Sequence, residues 1–138
     1  SASRSAQIIR EWLAAKNIAA PELVLENGSG LSRNERVSAA TLAQLLDAAW
    51  RSSVMPEFIS SMSLLGLDGT LRRRSKGESI AGQAHAKTGT LSDARAIAGY
   101  LLDPRGRRWI VLMITNHPNA LQTQAAQDAL LSWVFSRP

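Results

Sequence analysis

Lys87-Thr88-Gly89-Thr90 places a cation, two hydroxyls and a position without a side chain in one short run. On a strand edge such a run can bind a carboxylate. Lysine supplies the charge, Thr88 and Thr90 donate hydrogen bonds, and Gly89 lets a second backbone approach and pair as an added strand. Backbone N–H groups there can also face a developing oxyanion. Threonine is common in strands, so the same run also reads as ordinary sheet. Glu26-Asn27-Gly28-Ser29-Gly30-Leu31-Ser32-Arg33 has two glycines bracketed by Asn and Ser, which calls for turns with positive φ. Nothing in the chain matches a phosphate-cradling Gly-x-x-x-x-Gly-Lys-Ser. His85 and His117 are the only histidines and stand apart from any acidic cluster, so they read as strand-end residues; no metal site and no cofactor is expected.

The elements that would hold these residues follow from periodicity. Ile8, Ile9, Trp12 and Leu13 recur at helical spacing between Ser5 and Lys16. Ser38 is placed to cap a second helix, with Leu42, Leu45, Leu46, Ala49 and Trp50 on one stripe to about Arg51. Pro56 to Gly82 is mixed and predicts irregular structure with one short helix. Ala84 to Leu91, Ala96 to Leu102 and Arg108 to Thr115 read as strands, the last two apolar on both faces as a covered sheet requires. Asp103-Pro104-Arg105-Gly106 between them has a type I turn signature, and so predicts an antiparallel hairpin. Asn119 is placed to cap a final helix, with Leu121, Ala125, Ala129, Leu130, Trp133 and Val134 as its stripe. Helices on either side of the strands give an α/β layered domain, and Trp12, Trp50, Trp109 and Trp133 read as core.

The 138 residues hold 16 basic and 11 acidic side chains and no cysteine, which rules out a disulfide scaffold and a thiolate zinc site. Only three of the basic residues are lysines, Lys16, Lys76 and Lys87. The net charge of +5 favours anionic partners. Its densest cluster, Arg72-Arg73-Arg74 with Lys76, has no interleaved aromatics and reads as solvated surface; a nucleic-acid partner ranks last. The longest apolar run, Trp109 to Ile114, is far shorter than the roughly 18 residues of a membrane span, so no transmembrane segment is expected.

Four segments together resemble one family, in the right order. They are Glu26 to Arg33, then Ser63-Leu64-Leu65-Gly66-Leu67-Asp68-Gly69-Thr70-Leu71-Arg72-Arg73-Arg74, then Ala86-Lys87-Thr88-Gly89-Thr90-Leu91, then Ala98-Gly99-Tyr100. From about Pro21 onward the chain resembles the C-terminal half of bacterial D-alanyl-D-alanine carboxypeptidases/endopeptidases of the penicillin-binding protein 4 type. The resemblance implies a β-lactamase/transpeptidase-like fold, an antiparallel sheet flanked by helices, of which residues 1–138 would be the C-terminal portion, with no second domain.

By the same resemblance the protein is a periplasmic serine peptidase that cleaves D-Ala-containing peptidoglycan peptides through an acyl-enzyme that β-lactams mimic. That chemistry uses a Ser-x-x-Lys nucleophile and base, a Ser-x-Asn relay and a Lys-Thr-Gly strand. Lys87 would then be the catalytic-site cation, with Thr88, Gly89 and Thr90 binding substrate. The residues three before the lysines are Leu13, Arg73 and Ala84, so no Ser-x-x-Lys is present. Ser32-Arg33-Asn34 fits Ser-x-Asn only by coincidence, because it sits inside the separate Gly-Ser-Gly-Leu-Ser-Arg signature. The nucleophile is therefore expected on a preceding part of the same protein, which becomes a partner of this chain. An exposed sheet edge would further allow a homo-oligomer. The rival reading is a non-catalytic module that binds cell-wall peptides or a partner by the same strand.

Overall fold

A computed structural model describes residues 2–138, which divide into two compact units, one ending at Trp50 and the other comprising Arg51–Pro138.

In the first unit, helix α1 spans Ala2–Ala15 and α2 spans Ala39–Trp50. Ser38 caps α2 as its position predicts, its Oγ accepting the Thr41 N–H at 3.1 Å. Leu13, Ile18 and Leu23 form a small core, packed by Ala20, Leu25, Val37, Leu45 and Ala48. The predicted stripe of α1 is only partly used. Leu13 is buried, but Ile8, Ile9 and Trp12 are 55%, 42% and 49% exposed. The reading of Trp12 as core is thereby corrected: with Leu13 and Ala6 on the buried line, Trp12 lies beside that line and flanks an apolar cleft of about 320 Å³.

The second unit begins with α3 (Met55–Ser60) and is built on an antiparallel sheet in the order β1 (Ser63–Leu64), β2 (Ala84–Thr90), β3 (Ala94–Leu102), β4 (Arg108–Asn116). The three long strands start and end within two residues of expectation. The β3–β4 turn closes as predicted, the Gly106 N–H donating to the Asp103 carbonyl at 3.0 Å. The Asp103 carboxylate then secures the turn by accepting from the Arg105 and Arg107 N–H groups, Arg107 Nε and Trp109 Nε1. Burial alone would raise its pKa, but these four donors outweigh that and hold it well below the usual carboxylate range.

One sheet face is the core. Ala84, Ala86, Ile97, Leu101 and Val111 pack with Leu65, Leu71, Ile80 and, from the C-terminal helix, Leu131 and Val134. Leu65, Leu71 and Leu101 are fully buried, each contributing about 1.5–3 kcal/mol of transfer free energy.

The C-terminal helix departs from its predicted pattern. A 3₁₀ turn at Ala120–Thr123 precedes α4 (Gln124–Phe135), and Asn119 makes no side-chain cap. His117 Nδ1 instead accepts the Asn119 N–H at 3.0 Å. The buried face of α4 is Gln127, Leu131 and Val134, while Leu121, Ala125, Ala129 and Trp133 are exposed. Trp133, read from sequence as core, is 57% exposed because it stacks outward against the Arg137 guanidinium at 4.6 Å.

Candidate functional site

Strand β2 is held on one side along its whole length by β3, with Lys87 opposite Ala98, Thr88 opposite Ile97, Gly89 opposite Ala96 and Thr90 opposite Arg95. On its other side β1 pairs only as far as Ala86. Among the described residues no strand pairs with Lys87–Thr90 on that side, so the run forms an open sheet edge. The direction of its backbone groups follows from alternation. The Ala84 carbonyl accepts from Leu65 N–H on the β1 side, while the Leu91 N–H donates to Ala94 on the β3 side. Main-chain groups alternate sides with period two, so those of Thr88 and Thr90 point out of the open edge.

The side chains there are accessible. Lys87, Gly89 and Thr90 are exposed and Thr88 is half-buried. The Lys87 ammonium bends to its own strand and donates to the Thr88 carbonyl at 2.6 Å. A cation, outward N–H groups and two hydroxyls thus line one short edge, a donor set suited to a carboxylate and to a peptide laid alongside as a further strand.

The two glycines named with this strand behave differently. A Cβ at Gly89 would make an ordinary 3.8 Å contact with Ala96, so the chain itself leaves room for one; the need for glycine rests on what approaches the edge. At Gly99, across from Ala86, a Cβ would overlap the His85 carbonyl oxygen and come 2.6 Å from Ala86 Cα. Gly99 is therefore what allows β3 to lie against the strand carrying Lys87.

Ser63 to Arg74, read from sequence as irregular, buttresses that strand. Leu64 pairs with His85, and the Asp68 carboxylate accepts the Leu64 N–H at 2.6 Å. Ser63 Oγ accepts the Thr70 N–H at 3.3 Å, and the Thr88 hydroxyl donates to the Thr70 hydroxyl at 2.9 Å. Gly69 has φ +50°, and a Cβ there would overlap Ser63 Oγ. At the far end Arg74 corrects the surface reading of the arginine run. Arg72 and Arg73 are exposed, but Arg74 is 7% exposed, donating from Nε to Asp128 Oδ1 at 2.7 Å and from Nη1 to Gln127 Oε1 at 3.2 Å. Its Nη2 lies 2.6 Å from the same Asp128 oxygen, a charge contact without hydrogen-bond alignment. A buried guanidinium needs such a partner.

The other sequence candidates lie elsewhere. His85 sits in β2, its pKa lowered by burial and by the nearby Arg108 charge. Ser32 and Asn34 belong to the first unit, where both donate to the Glu26 carboxylate, Asn34 Nδ2 at 2.6 Å. Their hydrogen bonds fold their own loop. Among the described residues no group of three or more His, Asp or Glu is arranged to hold a metal ion.

Known proteins share the sequence pattern and the fold of this chain. The model of the D-Ala-D-Ala carboxypeptidase 3 (S13) family matches residues 1–136. A D-alanyl-D-alanine carboxypeptidase of Actinomadura sp. (strain R39) is 32% identical over 127 residues, 88% of this chain and 23% of that protein. Carboxypeptidase DacB of Mycolicibacterium smegmatis is 34% identical over 113 residues, 77% of this chain and 24% of that protein. Penicillin-binding protein 4 of Haemophilus influenzae, solved with a β-lactam, superposes with a TM-score of 0.78 at 21% identity, covering 95% of this chain and 34% of that one. A predatory endopeptidase of Bdellovibrio bacteriovorus, acylated by penicillin G and bound to an immunity protein, gives 0.65 at 17%, covering 93% and 37%. The fold expected from the sequence, an antiparallel sheet with helices, is the one these structures share. The chain spans about a quarter of the curated relatives' length, and by its match along nearly all of its own it belongs to the D-Ala-D-Ala carboxypeptidase 3 (S13) family.

Proposed function

We propose that the chain is the C-terminal portion of the catalytic domain of a serine D-Ala-D-Ala carboxypeptidase/endopeptidase, and that it supplies the strand on which peptidoglycan stem peptides bind. The observation that carries this is the open β2 edge, where the outward main chain of Thr88 and Thr90 meets the Lys87 charge. Lys87 and the Thr88 and Thr90 hydroxyls would bind the peptide's terminal carboxylate, and the Thr90 N–H would face the oxyanion that forms as a serine attacks the D-Ala carbonyl. Gly89 would keep the edge clear for the peptide backbone. The nucleophile and its base would come from a Ser-x-x-Lys segment of the same protein, with β-lactams acylating that serine as substrate mimics. A protein that acts on peptidoglycan would work outside the cytoplasmic membrane, in the periplasm; among the described residues no helix is long and apolar enough to cross a membrane.

Labelling with a fluorescent penicillin tests the reading. The 138 residues alone are expected to stay unlabelled, and the whole protein carrying a Ser-x-x-Lys segment to label. Lys87→Ala in the whole protein should slow labelling by roughly a hundredfold or more, the scale of losing one charged transition-state contact. Undiminished labelling of Lys87→Ala would remove the strand from the site.

A further inference from the structure

Thr70 stands outside the Lys-Thr-Gly run, 18 residues before Thr88, yet the two hydroxyls are joined at 2.9 Å. We infer that Thr70 is a positioning residue for substrate binding, acting by holding the Thr88 hydroxyl in the orientation that presents its proton to the substrate carboxylate. This rests on the carboxylate-binding role proposed above for the β2 edge.

Each hydroxyl has one hydrogen to donate and two lone pairs to accept. In the chain by itself Thr88 donates to Thr70. When a carboxylate arrives it takes a donor, and if Thr88 turns its proton to the anion, Thr70 can reverse and donate to the Thr88 oxygen. The hydroxyl pair then forms a relay ending at the anion, and each bond polarises the next. Valine at position 70 keeps the shape but removes this donor, leaving Thr88 free to rotate.

Thr70 itself has little freedom. Its N–H donates to Ser63 Oγ, and Ser63 pairs with Ala86, one residue before Lys87. Leu71, next in the chain, is fully buried, and its carbonyl accepts the Gly66 N–H at 3.0 Å. The hydroxyl is thus carried on a loop anchored to the same strand it braces. Both threonines are accessible enough for a ligand to reach Thr88, since Thr70 is exposed and Thr88 half-buried.

The test is a double-mutant cycle on penicillin acylation of the whole protein, with Thr70→Val, Thr88→Val and the pair, and with Thr70→Ser as the conservative variant. Thr70→Val is expected to slow second-order acylation about fivefold to tenfold, the scale of one hydrogen bond between neutral groups. Thr70→Ser should restore the rate, and Thr70→Val should have no further effect once Thr88 is valine. A D-Ala-D-Ala peptide substrate should show the loss mainly in KM. The double mutant distinguishes a lost donor from a loosened loop, because a merely structural tie would slow Thr88→Val further when Thr70 is also changed, and would lower the melting temperature of Thr70→Val. If the wild-type protein acylates and Thr70→Val acylates equally well, or the two effects simply multiply, the positioning role is overturned alone. A wild-type protein that does not acylate overturns the function proposed above.

Discussion

Two polar, glycine-containing loops, one in each unit, have hydrogen bonds that run in opposite directions. Around Glu26–Arg33 the bonds close on themselves: Asn27 accepts from the Ser29 N–H, Ser29 from Leu31, and the Glu26 carboxylate gathers Ser32 and Asn34. From Ser63 to Arg74 they leave the loop, reaching Thr88 on β2 through Thr70 and Gln127 and Asp128 on α4 through Arg74. Similar composition therefore serves two ends. The carboxylate and amide bonds of the first loop fold the loop itself, whereas the second couples the core beneath the sheet to the strand edge that carries Lys87, so a fault in it should travel.

The largest effect is expected at Arg74. Replacing it with alanine strands the Asp128 charge and the wholly buried Gln127 side chain. Breaking such a pair costs about 3 kcal/mol, somewhat less here because Asp128 is partly exposed. The urea midpoint of the chain should fall accordingly. A change of Glu26 to glutamine in the other loop should leave that midpoint nearly unmoved, and equal losses from the two would erase the contrast between the loops.

Next come the glycines. Gly30 has φ +75° and open space within 4 Å of where a methyl group would stand, so Gly30→Ala bears only the cost of the left-handed backbone, about 1 kcal/mol. Gly69→Ala meets that cost and also the clash with Ser63, bringing it to about 2–3 kcal/mol. Thermal unfolding of both variants gives the comparison, and penicillin labelling of the whole protein should fall only for Gly69→Ala. Equal melting shifts would mean that Ser63 yields without disturbing the loop.

The sequence shows the sheet clearly and the buttress poorly, for a physical reason. Strands β2 to β4 are short runs rich in apolar residues, two of them joined by a turn whose chemistry is local, and Lys87 to Thr90 announce themselves by residue type. Arg74 is charged and Gln127 polar, so periodicity assigns both to solvent; only their mutual contact, 53 residues apart, makes them interior. Periodicity misplaces the stripe of α4 by the same omission, since its buried line runs through Gln127. Thr70 has no sequence signal of its own beyond its place in the Leu-Asp-Gly-Thr segment, and Gly99 announces neither the carbonyl it must avoid nor the strand it must admit.

The smallest effect is electrostatic and belongs to the first unit. Glu22 accepts from the Thr41 hydroxyl at 2.6 Å and from the Ser38 N–H at 3.0 Å, and these bonds lower its pKa from 4.5 to about 2. A carboxyl with a depressed folded pKa stabilises fully above its unfolded value, and that contribution fades as pH falls from about 4.5 towards 2. Glu26 is lowered in the same direction, by Ser32 first and then Asn34. Carboxyl NMR titration should therefore place Glu22 well below the ordinary glutamate value of 4.5, and Thr41→Val should return it most of the way. Because Thr41 lies in the first turn of α2 and Ser38 caps it, the same substitution should loosen the helix start. A Glu22 carboxyl that titrates at the ordinary glutamate value in the unaltered chain, or that is unmoved by Thr41→Val, would remove these bonds as the cause.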